Sequence, residues 1–168
     1  KSFDQLQPVF VGSEMRNAAP AGVKAIDLAS LHGPLGETGF KQFGLVSDKL
    51  KSRLAAEEPV LIHAHFGKSG AYALPLARAM GLPLVVTYHG GDATKIANTK
   101  NSVMRVYNRR RERLWREAAL ILPVSEFIRG ELAKAGCPAD KMTVNYNGAD
   151  ASRFSPGQKS KLILFAGR

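Results

Sequence analysis

The sequence predicts an α/β fold, a parallel sheet with helices on both faces. Three observations carry that prediction. Short apolar runs, PVLIHAHFG (59–67), LPLVVTYHG (82–90) and AALILPVS (118–125), alternate with stretches of helical periodicity. The runs lack the every-second-residue polar alternation of a strand that is wet on one side, as expected when both faces are covered. Glycine or proline stands at most of the joins, where the chain must turn.

The elements follow in order. PVFVG (8–12) reads as a short strand, and the glycine-punctuated stretch 33–39 as a loop. Phe43, Leu45, Val46, Leu50 and Leu54 recur at roughly helical spacing, predicting a helix over 40–57. The strand at 59–67 ends in glycine and leads to a helix over 69–80, for which Ser69 is the expected N-cap. Gly81 and Pro83 separate that helix from the strand at 82–90. A long basic helix is expected over 98–117, then the strand at 118–125. Ser125 caps a helix that stops at Gly136. KMTVNYNG (141–148) and KLILFAGR (161–168) read as further strands. Residues 1–150 thus form one domain, 151–160 a polar linker with Pro156 and Gly157, and 161–168 the first strand of a second domain.

Composition narrows the function classes. A chain of 168 residues with 45% apolar and 23% charged residues can bury a single core. Nothing approaches the roughly 18 uninterrupted apolar residues of a membrane span. Cys137 is the only cysteine, so no intrachain disulfide can form, and a cytoplasmic setting is expected. The net charge of +10 implies anionic company. Between Lys95 and Glu117 eight Lys or Arg face only Glu112 and Glu117. This helix reads either as a solvated face or as a surface for an anionic membrane or a phosphorylated acceptor. It follows no nucleic-acid-binding pattern, so no specific nucleic-acid partner is expected.

In parallel sheets ligands bind beyond the carboxyl ends of the strands. His63, His65, His89, Ser125 and Asn147 all fall there. Several familiar chemistries do not fit. GKS (67–69) has Ile62 where a phosphate loop needs its first glycine. Gly67-Lys68-Ser69-Gly70-Ala71 imitates a nucleophile elbow, yet no histidine follows His89 and no acid lies between Ser69 and His89. The glycines at 33–39 lack the neighbours of a dinucleotide turn. His63 and His65 share one strand face, as metal ligands or as hydrogen-bonded structure. No third ligand and no Asp-x-Asp accompany them, and no metal or cofactor is expected.

HAHFG (63–67), VVTYHGGDAT (85–94), ALILPVSEFIR (119–129), VNYNGADASRFSP (144–156) and LILFAGR (162–168) form an ordered set. It closely resembles the family 4 retaining glycosyltransferases of the GT-B fold, especially those of bacterial exopolysaccharide assembly. The resemblance runs from residue 59 to the end; the stretch before it is generic. It implies a Rossmann-like N-terminal, acceptor-side domain facing a second, nucleotide-sugar domain across a cleft. The family's opening strand, glycine-rich loop and helix, and most of its C-terminal domain with the paired-glutamate motif, have no counterpart here. The expectation is a fragment inactive alone.

Residue by residue, the resemblance makes His89 the active-site histidine that hydrogen-bonds the transferred sugar. Gly90 and Gly91 let the backbone approach that sugar, and Asp92 orients His89 or binds a hydroxyl. Arg168 clamps the donor diphosphate, for which a guanidinium fork is suited. His63, His65, Phe66 and Gly67 lie on the acceptor side. The implied partners are a nucleotide-sugar donor and a saccharide or lipid-linked acceptor, at the inner face of the cell membrane. Transfer would be metal-independent. The alternative is a non-catalytic basic module that binds an anionic polymer or lipid.

Overall fold

The computed structural model describes residues 7–13, 23–94, 102–153, 155 and 157. Strands β1 (Val9–Gly12) and β2 (Lys24–Asp27) pair in parallel. A second parallel sheet contains β3 (Ile62–His65), β4 (Leu84–Tyr88) and β5 (Leu120–Pro123), with β4 in the centre. Around these strands run α1 (Leu28–Thr38), α2 (Asp48–Ala55), α3 (Gly67–Met80), the single turn α4 (Gly91–Thr94), α5 (Ser102–Glu117) and α6 (Glu126–Lys134). The parallel α/β architecture is the one the apolar runs predict.

Register explains which residues form the core. Ala64, Val86 and Ile121 stand side by side across the three strands and are all buried. They share one apolar cluster with Ala71, Leu74 and Ala77 of α3, Leu114 and Trp115 of α5, and Ile128 and Leu132 of α6. Alternation sends His63, His65, Val85, Thr87, Leu120 and Leu122 to the opposite face. A second cluster joins Ile26 of β2, Leu28 of α1, Leu50 and Leu54 of α2, and Leu76 of α3. Burying each such leucine contributes about 1.5–3 kcal/mol.

Four sequence expectations change. The loop expected at 33–39 lies almost wholly in α1, which begins where the Asp27 carboxylate accepts from the Ala29 N–H at 3.0 Å. Capping and the burial of Leu28 outweigh the local glycine signal. The helix expected over 40–57 is two pieces. A π-helical turn (Gly39–Phe43) ends at Gly44 in the left-handed conformation, and α2 starts afresh with Ser47 accepting from the Leu50 N–H. Ser69 is inside α3 rather than at its cap, because that helix begins at Gly67 directly after β3. The strand expected at 141–148 is reduced to a parallel bridge between Ile121 and Met142, with the Thr143 and Asn145 N–H groups donating to the Ile121 and Pro123 carbonyls. Residues 161–168, and with them the second-domain strand, lie outside the described residues.

Arg110 ties the helices together. Pro75 inside α3 has no N–H, so the Ala71 carbonyl one turn earlier loses its helical donor. The Arg110 guanidinium donates to that oxygen at 3.2 Å, and also to the Lys41 and Gln42 carbonyls of the π-helical turn. One side chain therefore satisfies three backbone acceptors from two elements.

Candidate active site

The carboxyl ends of β3 and β4 bring His63, His65, Phe66 and His89 into one row of rings. His63 and His65 stack with centroids 4.6 Å apart, His65 and His89 at 5.3 Å, and Phe66 leans on His89 at 4.7 Å. Polar contacts fix the row. His63 Nε2 bonds Thr87 Oγ1 at 2.8 Å, and His65 Nδ1 bonds His89 Nε2 at 3.0 Å. The second contact needs one ring to donate and the other to offer a lone pair, so the two imidazoles set each other's tautomer. Partial burial and the neighbouring imidazoles hold the His63 and His65 pKa values below the ordinary 6.5.

Asp92 organises the loop that carries His89. Its carboxylate is buried, and it accepts from the Gly67 N–H at 2.8 Å, the Gly90 N–H at 2.9 Å and the His89 N–H at 3.2 Å. One side chain thus locks the start of α3 to the end of β4. Asp92 meets His89 through its backbone amide, and among the described contacts none joins it to the imidazole. Gly90 has φ +146°, a conformation that side chains rarely adopt. A Cβ at Gly90 or Gly91 would meet nothing within 4 Å, so the loop is open on its outer side.

Beneath the loop lies a buried aromatic floor. Trp115 Nε1 donates to the Tyr88 hydroxyl at 2.9 Å, which bonds the Tyr107 hydroxyl at 3.1 Å. Burial raises both phenols, Tyr107 to about 12, so neither serves as a proton donor of ordinary acidity. Gly67 is squeezed against this floor: a Cβ there would come within 2.6 Å of Tyr88 Cε1 and 2.9 Å of Tyr107 Cε2.

The remaining candidates fall elsewhere. Ser125 is the cap of α6, accepting from the Ile128 N–H, and Asn147 is exposed. Arg168 and residues 95–101 lie outside the described residues. Among the described residues no three His, Cys, Asp or Glu are arranged to hold a metal ion, and no helix is long and apolar enough to cross a membrane. Cavities of about 430 Å³, beside Asp48 and Met80, and about 310 Å³, beside Gln42 and Arg109, do not touch the histidines. The row of rings is an open ledge. On α5, Arg110 and Arg109 spend donors on carbonyls of the 39–43 turn, and Arg113 pairs with Glu117. Sequence reasoning missed Thr87 as the partner of His63, although their alternation on adjacent strands was available. It also missed the backbone of Phe66, for which the sequence offers no signal.

Comparison with known proteins shows the family and the fold. Residues 9–153 match the family model described as Glycosyltransferase Family 4. WcaL of Escherichia coli (strain K12), named for a glycosyltransferase of colanic acid biosynthesis, is 35% identical over 96 residues, which is 55% of this chain and 22% of that one. Its Salmonella typhimurium (strain LT2) namesake is 31% identical over 112 residues, 61% of this chain and 26% of that one. The amylovoran biosynthesis glycosyltransferase AmsK of Erwinia amylovora is 29% identical over 93 residues, 54% of this chain and 22% of that one. The chain spans about a quarter of the length of these relatives. Among solved structures, Anabaena HepE in complex with UDP and glucose shares the fold with TM-score 0.52 at 21% identity, over 77% of this chain and 32% of that one.

Proposed function

Because the chain belongs to glycosyltransferase family 4, we propose that it supplies the acceptor-side domain of a retaining, nucleotide-sugar-dependent glycosyltransferase that builds a cell-surface polysaccharide. The observation that carries this reading is the placement of His89. Its imidazole stands at the carboxyl end of the central parallel strand, on a loop held by three backbone N–H hydrogen bonds donated to Asp92 and open to solvent at Gly90 and Gly91.

The proposed chemistry follows the charge. A hexose leaves its nucleotide diphosphate through a cationic, oxocarbenium-like state, and negative charge grows on the leaving phosphate. The acceptor hydroxyl attacks the anomeric carbon from the face the diphosphate vacates. The new C–O bond forms as the old one breaks, a phosphate oxygen takes the proton, and configuration is retained. His89 hydrogen-bonds the moving sugar, and Gly90 and Gly91 leave it room. Asp92 acts by fixing the His89 backbone. Arg168 and helix amino termini meet the phosphate charge in place of a divalent metal. His63, His65, Phe66 and Gly67 line the acceptor side.

Peripheral attachment to the inner membrane face belongs to the same proposal. Phe43 and Leu45 are exposed beside Gln42, where Arg105 and Arg109 of α5 converge, so apolar and cationic groups share one surface. To test the reaction, the product of the complete reading frame is incubated with radiolabelled UDP- and GDP-hexoses and lipid extract from its host. Label in a lipid-linked saccharide, undiminished by EDTA, is the expected result. Loss of transfer with EDTA contradicts metal independence, and no transfer from any donor contradicts the reaction itself.

A further inference from the structure

Several exposed aromatic side chains decorate this chain, among them Phe10, Phe43, Phe127 and Tyr146, so exposure alone singles out none of them. Phe66 differs in its backbone. It has φ +72° and ψ +141°, close to a region that is almost exclusively glycine's, and only Glu58 shares a positive φ among the described non-glycine residues. The reason is visible in its hydrogen bonds. The Phe66 N–H donates to the Thr87 carbonyl at 2.8 Å, continuing the β3–β4 ladder. Its own carbonyl accepts from the Gly70 N–H at 3.1 Å, beginning α3. The strand becomes a helix within one residue. Next to it, Gly67 cannot shift inward, because Tyr88 and Tyr107 fill the space.

Glycine would fit position 66 without strain, yet the chain places there a large ring of which about half stays exposed. The side chain leans on His89 at 43° and the residue remains 47% exposed. Backbone strain offsets part of what the buried half contributes to folding, and the exposed ring face is left for a ligand to meet. We propose that Phe66 is a stacking platform for a pyranose: its outer ring face takes the C–H face of the acceptor sugar and holds a hydroxyl of that sugar towards His89. The C–H bonds of a pyranose face are weakly positive and are attracted to the negative face of an aromatic ring. The elbow backbone fixes the ring beside the imidazole, with no rotation of the main chain left to adjust it. This inference rests on the saccharide-acceptor reading above and adds to it which residue takes the sugar and by what contact.

The test uses the full chain, labelled with 15N and titrated with methyl β-D-glucopyranoside and methyl β-D-galactopyranoside. Binding is followed through the Phe66, Gly67, His89 and Gly90 amides and through upfield ring-current shifts of the sugar C–H protons. The expected result is saturable binding with upfield sugar protons. Phe66→Trp retains it. Phe66→Leu keeps the apolar bulk but loses the ring current and binds about two- to tenfold more weakly, the factor an aromatic face adds over equal apolar area. Phe66→Gly loses binding while its Tm rises, the sign of strain released. Phe66→Leu binding as tightly as the parent overturns the platform, and so does a Phe66→Gly variant that melts lower than the parent. If the parent chain binds neither pyranoside, the saccharide-acceptor reading fails and the platform falls with it.

Discussion

Replacing Asp92 by alanine removes the acceptor for three backbone N–H groups at once. The Gly67 N–H is buried, and leaving it unpaired costs about 2–3 kcal/mol; the His89 and Gly90 amides are partly buried, where water can substitute, at about 0.5–1 kcal/mol each. The sum is about 3–5 kcal/mol, a large share of the roughly 5–15 kcal/mol that holds a domain folded. For a chain of this size each kcal/mol moves Tm by about 2–4 °C, so Asp92→Ala is expected to melt about 6–20 °C lower. Asp92→Asn keeps one acceptor oxygen but turns an NH₂ group toward a backbone donor, and is expected to lose about half as much. Circular-dichroism melts at neutral pH supply the Tm, and amide hydrogen exchange at Gly67, His89 and Gly90 localises the effect. A variant that melts within about 2 °C of the parent, with Gly67 exchange unchanged, refutes the view that Asp92 clamps β4 to α3.

Further outcomes follow from the same geometry. Gly67→Ala forces a methyl group to within 2.6 Å of Tyr88 in a floor that cannot recede, and a loss of about 2–4 kcal/mol in denaturant titration is expected. Arg110→Ala strands the Ala71 carbonyl that Pro75 leaves without a donor; a loss of about 1–3 kcal/mol is expected, with Arg110→Lys recovering only part because an ammonium lacks the fork. His63 and His65 bind protons less readily folded than unfolded, so the unfolded chain gains protons first as pH falls through about 6.5. Tm is therefore expected to drop below that pH and to hold above it, with a smaller drop in His63→Gln.

Much of the fold was legible because the strands are nearly continuous apolar runs. Val86 and Ile121 lie within those runs and are buried, whereas the central place of β4 came only from the strand pairing. The helices were legible where a cap announced them, as Ser125 does for α6, and illegible where a long-range contact decides the outcome. Gly33 and Gly36 argue locally for a loop, but Asp27 and the burial of Leu28 carry α1 past them. The candidate site was legible as a list and not as a network. His63, His65 and His89 could be read from their strand-end positions, since period-two alternation puts the first two on one face. That Asp92 would hold amides from two separate segments depends on how α3 sits against β4, which no local pattern encodes. The π-helical turn at 39–43 depends likewise on Arg110, 67 or more residues away.

The central claim is that the imidazole of His89 touches the sugar as it moves. It is tested most directly by His89→Ala in the product of the complete reading frame, with transfer of radiolabelled hexose measured at saturating donor. A fall in kcat of about a hundred- to a thousandfold, with the melting temperature of the parent retained, is the predicted result. Turnover equal to the parent's contradicts the account.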